Sequence, residues 1–134
     1  MINIYCDGSI QGGLGGWAVG GWVKKSDNGE VLGQGVVSLG QHPTNTNNCA
    51  EYAAVKSALE KLIEHGETGD VLVHTDSKLV VCQLNKDWKC NYIHLRRYRD
   101  SIWALTKHFK SVTFKWIPRE QNKDADAVSR SLYG

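Results

Sequence analysis

The chain has 134 residues, 41% of them apolar and 22% charged, with a formal net charge of +2. That length suits one domain, spanning residues 1–134, with one sheet and its covering helices. The ordinary composition excludes a disordered chain, and two prolines with no low-complexity stretch leave no place for a linker. No apolar run approaches membrane-spanning length, and a strand pattern begins at Ile2, so neither a membrane nor a secretory leader is expected. Cytoplasm is the expected setting. Cys6, Cys49, Cys82 and Cys90 contain no Cys-x-x-Cys pair and are expected as thiols, although sequence alone leaves a disulfide open.

Ile2, Ile4 and Cys6 alternate with Asn3, Tyr5 and Asp7, the period of a half-buried strand. Asp7-Gly8-Ser9 is expected to end that strand and open a glycine-rich turn reaching Gly16. A second strand spans Trp17 to Lys25, Asp27-Asn28-Gly29 forms a turn, and a third strand runs from Glu30 to Leu39. After a polar loop, Ala50, Ala53, Ala54, Ser57, Ala58 and Leu62 fall at helical spacing. Asn47 or Asn48 is the expected N-cap and Gly66 the stop, which places Glu51 in the first turn, where the helix dipole favours a negative charge.

Val71 to Thr75 reads as a strand buried on both faces. A short helix covers Ser77 to Leu84, and a connector passes Trp88. A longer helix follows through Leu95, Tyr98, Ile102, Leu105 and Phe109. Val112, Phe114 and Trp116 alternate as the last strand, which Pro118 ends, and a final helix runs from near Asn122 towards Leu132. The order βββαβααβα predicts an α/β fold: a mixed five-stranded sheet with helices on both faces.

Asp7 and Asp76 stand at predicted strand ends, and Glu51 and Asp126 in the opening turns of predicted helices. Strand ends and helix starts are where such sheets gather reactive groups. Singly, each acid has an ordinary use as a turn or capping residue. Together they would repel unless a cation neutralised them, and an all-oxygen donor set suits Mg²⁺ or Mn²⁺. Lys86, Lys89, Arg96, Arg97 and Arg99, interleaved with Trp88 and His94, suit either a phosphate backbone or a solvated helix face.

Four stretches carry a resemblance over nearly the whole chain. They are Tyr5-Cys6-Asp7-Gly8-Ser9, Thr46-Asn47-Asn48-Cys49-Ala50-Glu51, Thr75-Asp76-Ser77-Lys78, and Pro118-Arg119-Glu120-Gln121-Asn122-Lys123-Asp124-Ala125-Asp126. In this order and on these elements they resemble the type 1 ribonuclease H family. The resemblance implies a sheet of strand order 3-2-1-4-5 and an endoribonuclease that cuts the RNA strand of RNA–DNA hybrids, leaving 5′-phosphate and 3′-hydroxyl ends. It implies two Mg²⁺ ions (or Mn²⁺), with Asp7 shared by both, Asp126 on the water-activating side, and Glu51 and Asp76 on the leaving-group side. The family pattern puts that fourth ligand directly after the alanine, which selects Asp126 over Asp124; on a helix the two point roughly 200° apart. Asn47 and Asn48 resemble residues that contact the RNA strand, and Thr46 one that helps hold a phosphate of the DNA strand. Trp88 is placed along the DNA strand, with packing in the connector as its ordinary alternative.

The chain departs from many members in two places. The Lys86–His94 connector is too short for a basic protrusion, and Ile117-Pro118-Arg119-Glu120 stands where others carry a histidine loop. Both features resemble the compact branch, and Arg119 becomes the candidate for assisting the leaving group. A free-standing monomer is expected. The competing readings are a catalytically silent nucleic-acid-binding module, a domain of a larger polymerase or transposon protein, and a transposase-like nuclease of the same fold.

Overall fold

The computed structural model describes residues 1–133. Its strands are β1 (Ile2–Gln11), β2 (Trp17–Lys25), β3 (Val31–Gln41), β4 (Asp70–Thr75) and β5 (Ser111–Trp116). Its helices are α1 (Asn47–Glu64), α2 (Lys78–Leu84), α3 (Ile93–Thr106) and α4 (Lys123–Arg130). The sheet has the order β3-β2-β1-β4-β5, with β1, β2 and β3 antiparallel and β4 parallel to both β1 and β5. This is the mixed sheet expected from the element order. All four cysteines are free thiols. Among the described residues no helix is long and apolar enough to cross a membrane.

Several local expectations are corrected. Asp7 does not end β1: the strand continues to Gln11, with Asp7 paired to Gly21, Gly8 to Gly20 and Ser9 to Val19. The turn-like string Asp7-Gly8-Ser9 stays extended because β2 is there to pair with it. Secondly, neither Asn47 nor Asn48 caps α1. Thr46 does, accepting from the Cys49 N–H at 3.2 Å, so Glu51 lies beyond the first turn and has no helix-dipole role. Thirdly, α3 ends at Thr106, and Phe109 reaches the core from beyond it; α4 begins at Lys123 and gives way to a short 3₁₀ turn at Ser131. The third strand also begins at Val31 and runs to Gln41.

Two cores lie on opposite faces of the sheet. On one, Ile4, Cys6, Val71 and Val73 pack against Tyr52, Val55 and Leu59 of α1, with Ile102 of α3 and Val80 of α2. On the other, Val23 and Tyr5 meet Ala125 and Val128 of α4. Glycines set how closely the helices approach. A Cβ on Gly8 would lie 2.4 Å from the Glu51 backbone nitrogen, and one on Gly20 2.7 Å from that of Ala54. A Cβ on Gly21 would instead lie 2.5 Å from the Ser129 nitrogen. Adjacent strand residues face opposite sides, so Gly20 admits α1 and Gly21 admits α4 at the same point of the sheet.

Candidate active site

The site forms where β4 stops short of β1. The last β1–β4 pair is Cys6 with Thr75, after which β1 continues alone on that side. Cys6 and Gly8 are two apart, so their backbone groups face the same neighbour, here the edge that β4 has left. The Gly8 N–H donates to the Glu51 carboxylate there. Asp76 follows Thr75 immediately, and its carbonyl accepts from the Trp116 indole at 3.2 Å. Gly8 makes the arrangement possible, because a side chain there would push α1 and Glu51 outward.

Asp7, Glu51 and Asp76 each offer a carboxylate oxygen within 4.8 Å of the others. Asp7 is 6% exposed and Glu51 9%. Burial, then a hydrogen bond to Asp126 and the charges of Asp76 and Asp126, push the Asp7 carboxyl up to about 8. Burial, then Asp7 and Asp76, raise Glu51 well above the usual carboxylate range. Thr75 also donates to Glu51 at 3.5 Å.

Asp126 comes from the other face of the sheet on α4 and hydrogen-bonds with Asp7. Burial would raise its pKa, but the hydrogen bonds from Arg130 and Asp7, with the charges of Arg130 and Arg119, hold it below the ordinary value. At neutral pH Asp7 therefore keeps a proton and donates it towards Asp126. Such crowding is costly, and a cation placed among these oxygens would relieve it. The all-oxygen donor set fits a hard divalent ion.

The four carboxylates line one cleft of about 870 Å³ together with Asn47, Asn48 and Arg119. Arg119 is 88% exposed, with its Nε 3.7 Å from Asp76 Oδ2. Thr46 and Trp88 are not in this cleft. Thr46 caps α1, and its hydroxyl donates to the Cys49 thiol at 3.3 Å. That thiol faces a second cavity of about 310 Å³, lined also by Lys56, His94 and Arg97. Trp88 sits in the connector after α2, 48% exposed. Sequence reasoning passed over two further groups in the cleft, Trp116 and Arg130. Arg130 donates to Asp126 at 2.9 Å from four residues on, a spacing readable in the sequence. Asp124 turns away from the cleft to pair with Lys25 at 2.6 Å.

The sequence matches the reverse transcriptase-like family over residues 6–132. Ribonuclease HI of Halobacterium salinarum is 36% identical over 128 residues, which cover 96% of this chain and 62% of that protein. The crystal structure of RNase H1 from the same archaeon superposes with a TM-score of 0.88 at 34% identity, covering 98% of this chain and 97% of the other. LC11-RNase H1, solved in complex with RNA/DNA hybrid, superposes with a TM-score of 0.86 at 32% identity, covering 96% and 93%. The chain spans 34% of the length of its relatives from Mycobacterium tuberculosis and Mycobacterium bovis.

Proposed function

Because the chain belongs to the ribonuclease H family, we propose that it hydrolyses the RNA strand of RNA–DNA hybrids, leaving 5′-phosphate and 3′-hydroxyl ends. The observation that carries this reading is the gathering of Asp7, Glu51 and Asp76, joined by Asp126, in one open cleft. A silent binding module would gain nothing from four carboxyl groups crowded into one cleft. The chain acts as one domain over residues 1–134 and as a monomer in the cytoplasm.

Asp7 would be shared by two Mg²⁺ ions, for which Mn²⁺ can substitute. Asp126 would hold one, and Glu51 with Asp76 the other. Bound divalent ions at such a site lower the pKa of an attacking water and stabilise the oxygens of an in-line phosphoryl displacement. The chain's own residues bind and orient the substrate. Asn47 and Asn48 line the cleft at the start of α1, and an amide can both donate to and accept from a ribose 2′-hydroxyl, the group that separates RNA from DNA. Arg119, exposed at the rim, is free to leave Asp76 for a phosphate oxygen at the leaving group. The cavity behind Thr46, with Lys56 and Arg97, lends cationic support to a DNA-strand phosphate, and Trp88 on the connector flanks that strand.

The test compares an end-labelled RNA–DNA hybrid with single-stranded RNA, double-stranded RNA and double-stranded DNA, each with and without Mg²⁺ or Mn²⁺. Metal-dependent cutting of RNA within the hybrid is the expected result. Binding without cutting overturns the reading in favour of a silent module, and cutting of the DNA duplex in favour of a transposase-like nuclease.

A further inference from the structure

Asn122 stands at the N-terminus of α4, where an asparagine side chain ordinarily caps the helix. Here it makes no capping bond. Its Nδ2 instead donates to the Cys6 carbonyl at 2.8 Å, across 116 residues of sequence. Its Oδ1 is buried without a hydrogen-bond partner among the described residues, and the residue is only 1% exposed. A side chain held so deep, with one end unsatisfied, is costly to keep unless the other end matters.

The Cys6 carbonyl belongs to the residue before Asp7 and faces the edge of β1 that β4 has left. Asn122 supplies the donor that a longer β4 would have supplied, just as the Gly8 N–H on the same edge is taken by Glu51. The backbone of Asn122 is engaged as well. Its N–H donates to Arg119 O at 2.9 Å, and its carbonyl accepts from Asp126 N at 3.1 Å. One residue thus joins the strand bearing Asp7, the turn bearing Arg119 and the first hydrogen bond of the helix bearing Asp126.

We infer that Asn122 is a positioning residue that fixes Asp126 and Arg119 against Asp7 through the hydrogen bond from its side-chain amide to the Cys6 carbonyl. It touches neither substrate nor metal. The inference rests on the proposed reaction for its catalytic consequence, but not for its effect on metal binding. Placement by one hydrogen bond behind a ligand set is generally worth about 10- to 100-fold in activity or metal affinity.

The experiment uses Asn122→Ala beside Asn3→Ala. Asn3 is another buried β1-face amide, bonded to Asp27 at 2.8 Å and paired with Lys25 at the far end of the strand. Three quantities are read: hybrid cleavage at saturating Mg²⁺, the Mg²⁺ concentration at half-maximal rate, and the rise in melting temperature that Mg²⁺ gives without substrate. Asn122→Ala should cut about 10- to 100-fold more slowly, need more Mg²⁺ and lose much of the metal-induced rise, while Asn3→Ala keeps all three. Wild-type rate and metal dependence in Asn122→Ala would overturn the inference. So would losses in both variants that simply follow their melting temperatures. If the wild type does not cut hybrid, the proposed function fails, and the melting shift still decides the role of Asn122. Should Asn122→Ala not fold, the wild-type side-chain amide protons of Asn122 decide it by NMR. Slow exchange that slows further on adding Mg²⁺ supports the inference; exchange as fast as a free amide, or indifferent to Mg²⁺, overturns it.

Discussion

The two halves of the cleft are built and charged differently. Asp7, Glu51 and Asp76 rest on the sheet and on the 18-residue helix α1, which is seated directly against Gly8. Asp126 rests on the eight-residue α4, and Arg130 pairs with it. On the sheet side burial and mutual repulsion push the Asp7 and Glu51 carboxyls upward, whereas on the α4 side arginine holds Asp126 below the ordinary value. Without a cation, negative charge is therefore disfavoured at buried Asp7 and Glu51 and favoured at Asp126 on the rim. Carboxyl geometry is preset by close packing on one side and held by exposed arginine on the other.

The sharpest way to break this contrast is Asp7→Asn, which leaves the shape of the sheet side intact and removes its central carboxyl. Cleavage should fall by about 10³-fold or more, equivalent to several kcal/mol of lost charge stabilisation, with folding retained. Metal-dependent cutting by pure variant protein would remove Asp7 from the site.

The next largest effect is with pH. The folded Asp7 holds a proton up to about pH 8 that the unfolded chain releases in the ordinary carboxylate range. The native state thus binds more protons across that window, so the metal-free protein loses stability as pH rises towards 8, and the Asp7 contribution levels off above it. A metal ion must displace the same proton, so Asp7 alone should raise its affinity by up to about tenfold per pH unit below 8. Calorimetric titration at several pH values checks both the slope and its end, and a flat profile would contradict a raised Asp7.

On the rim, Arg119→Ala should slow turnover by roughly tenfold without changing the fold, less than the roughly 10²- to 10³-fold lost with a preorganised donor at a developing charge, because this guanidinium is exposed. An unchanged rate would return Arg119 to the surface. The smallest effect belongs to Asp124→Asn, two residues from Asp126 and paired with Lys25. It should leave cleavage intact and cost about 0.2–1 kcal/mol of stability in thermal unfolding. A loss of activity there would mean that the two acids of α4 do not divide their roles.

The sheet order and the cleft differ in how far sequence alone reaches. Apolar alternation in β1 and β5 and the helical spacing of Ala50 to Leu62 make the elements legible, because each signal is local. Asp7-Gly8-Ser9 misleads for a physical reason. It has the composition of a turn, and only pairing with Gly20 and Gly21 together with the pressure of α1 keeps it extended. Thr46 displaces the asparagines as cap, leaving Asn47 and Asn48 facing the cleft, a choice that depends on where the preceding loop delivers the chain. The approach of the acids follows from β4 being shorter than β1, and a length mismatch between strands distant in sequence has no local signature.

The glycines of this sheet carry a further consequence. At Gly8, Gly20 and Gly21 main chain rests on main chain, and main-chain contacts have no rotamers through which to relax. The span across which the acids of α1 and α4 face one another is therefore the thickness of a bare strand, fixed like parts seated on a machined shoulder. A single added methyl at any of the three would widen that seat on one side only. The most damaging lesions to a site of this kind can therefore fall on residues that bear no functional group at all.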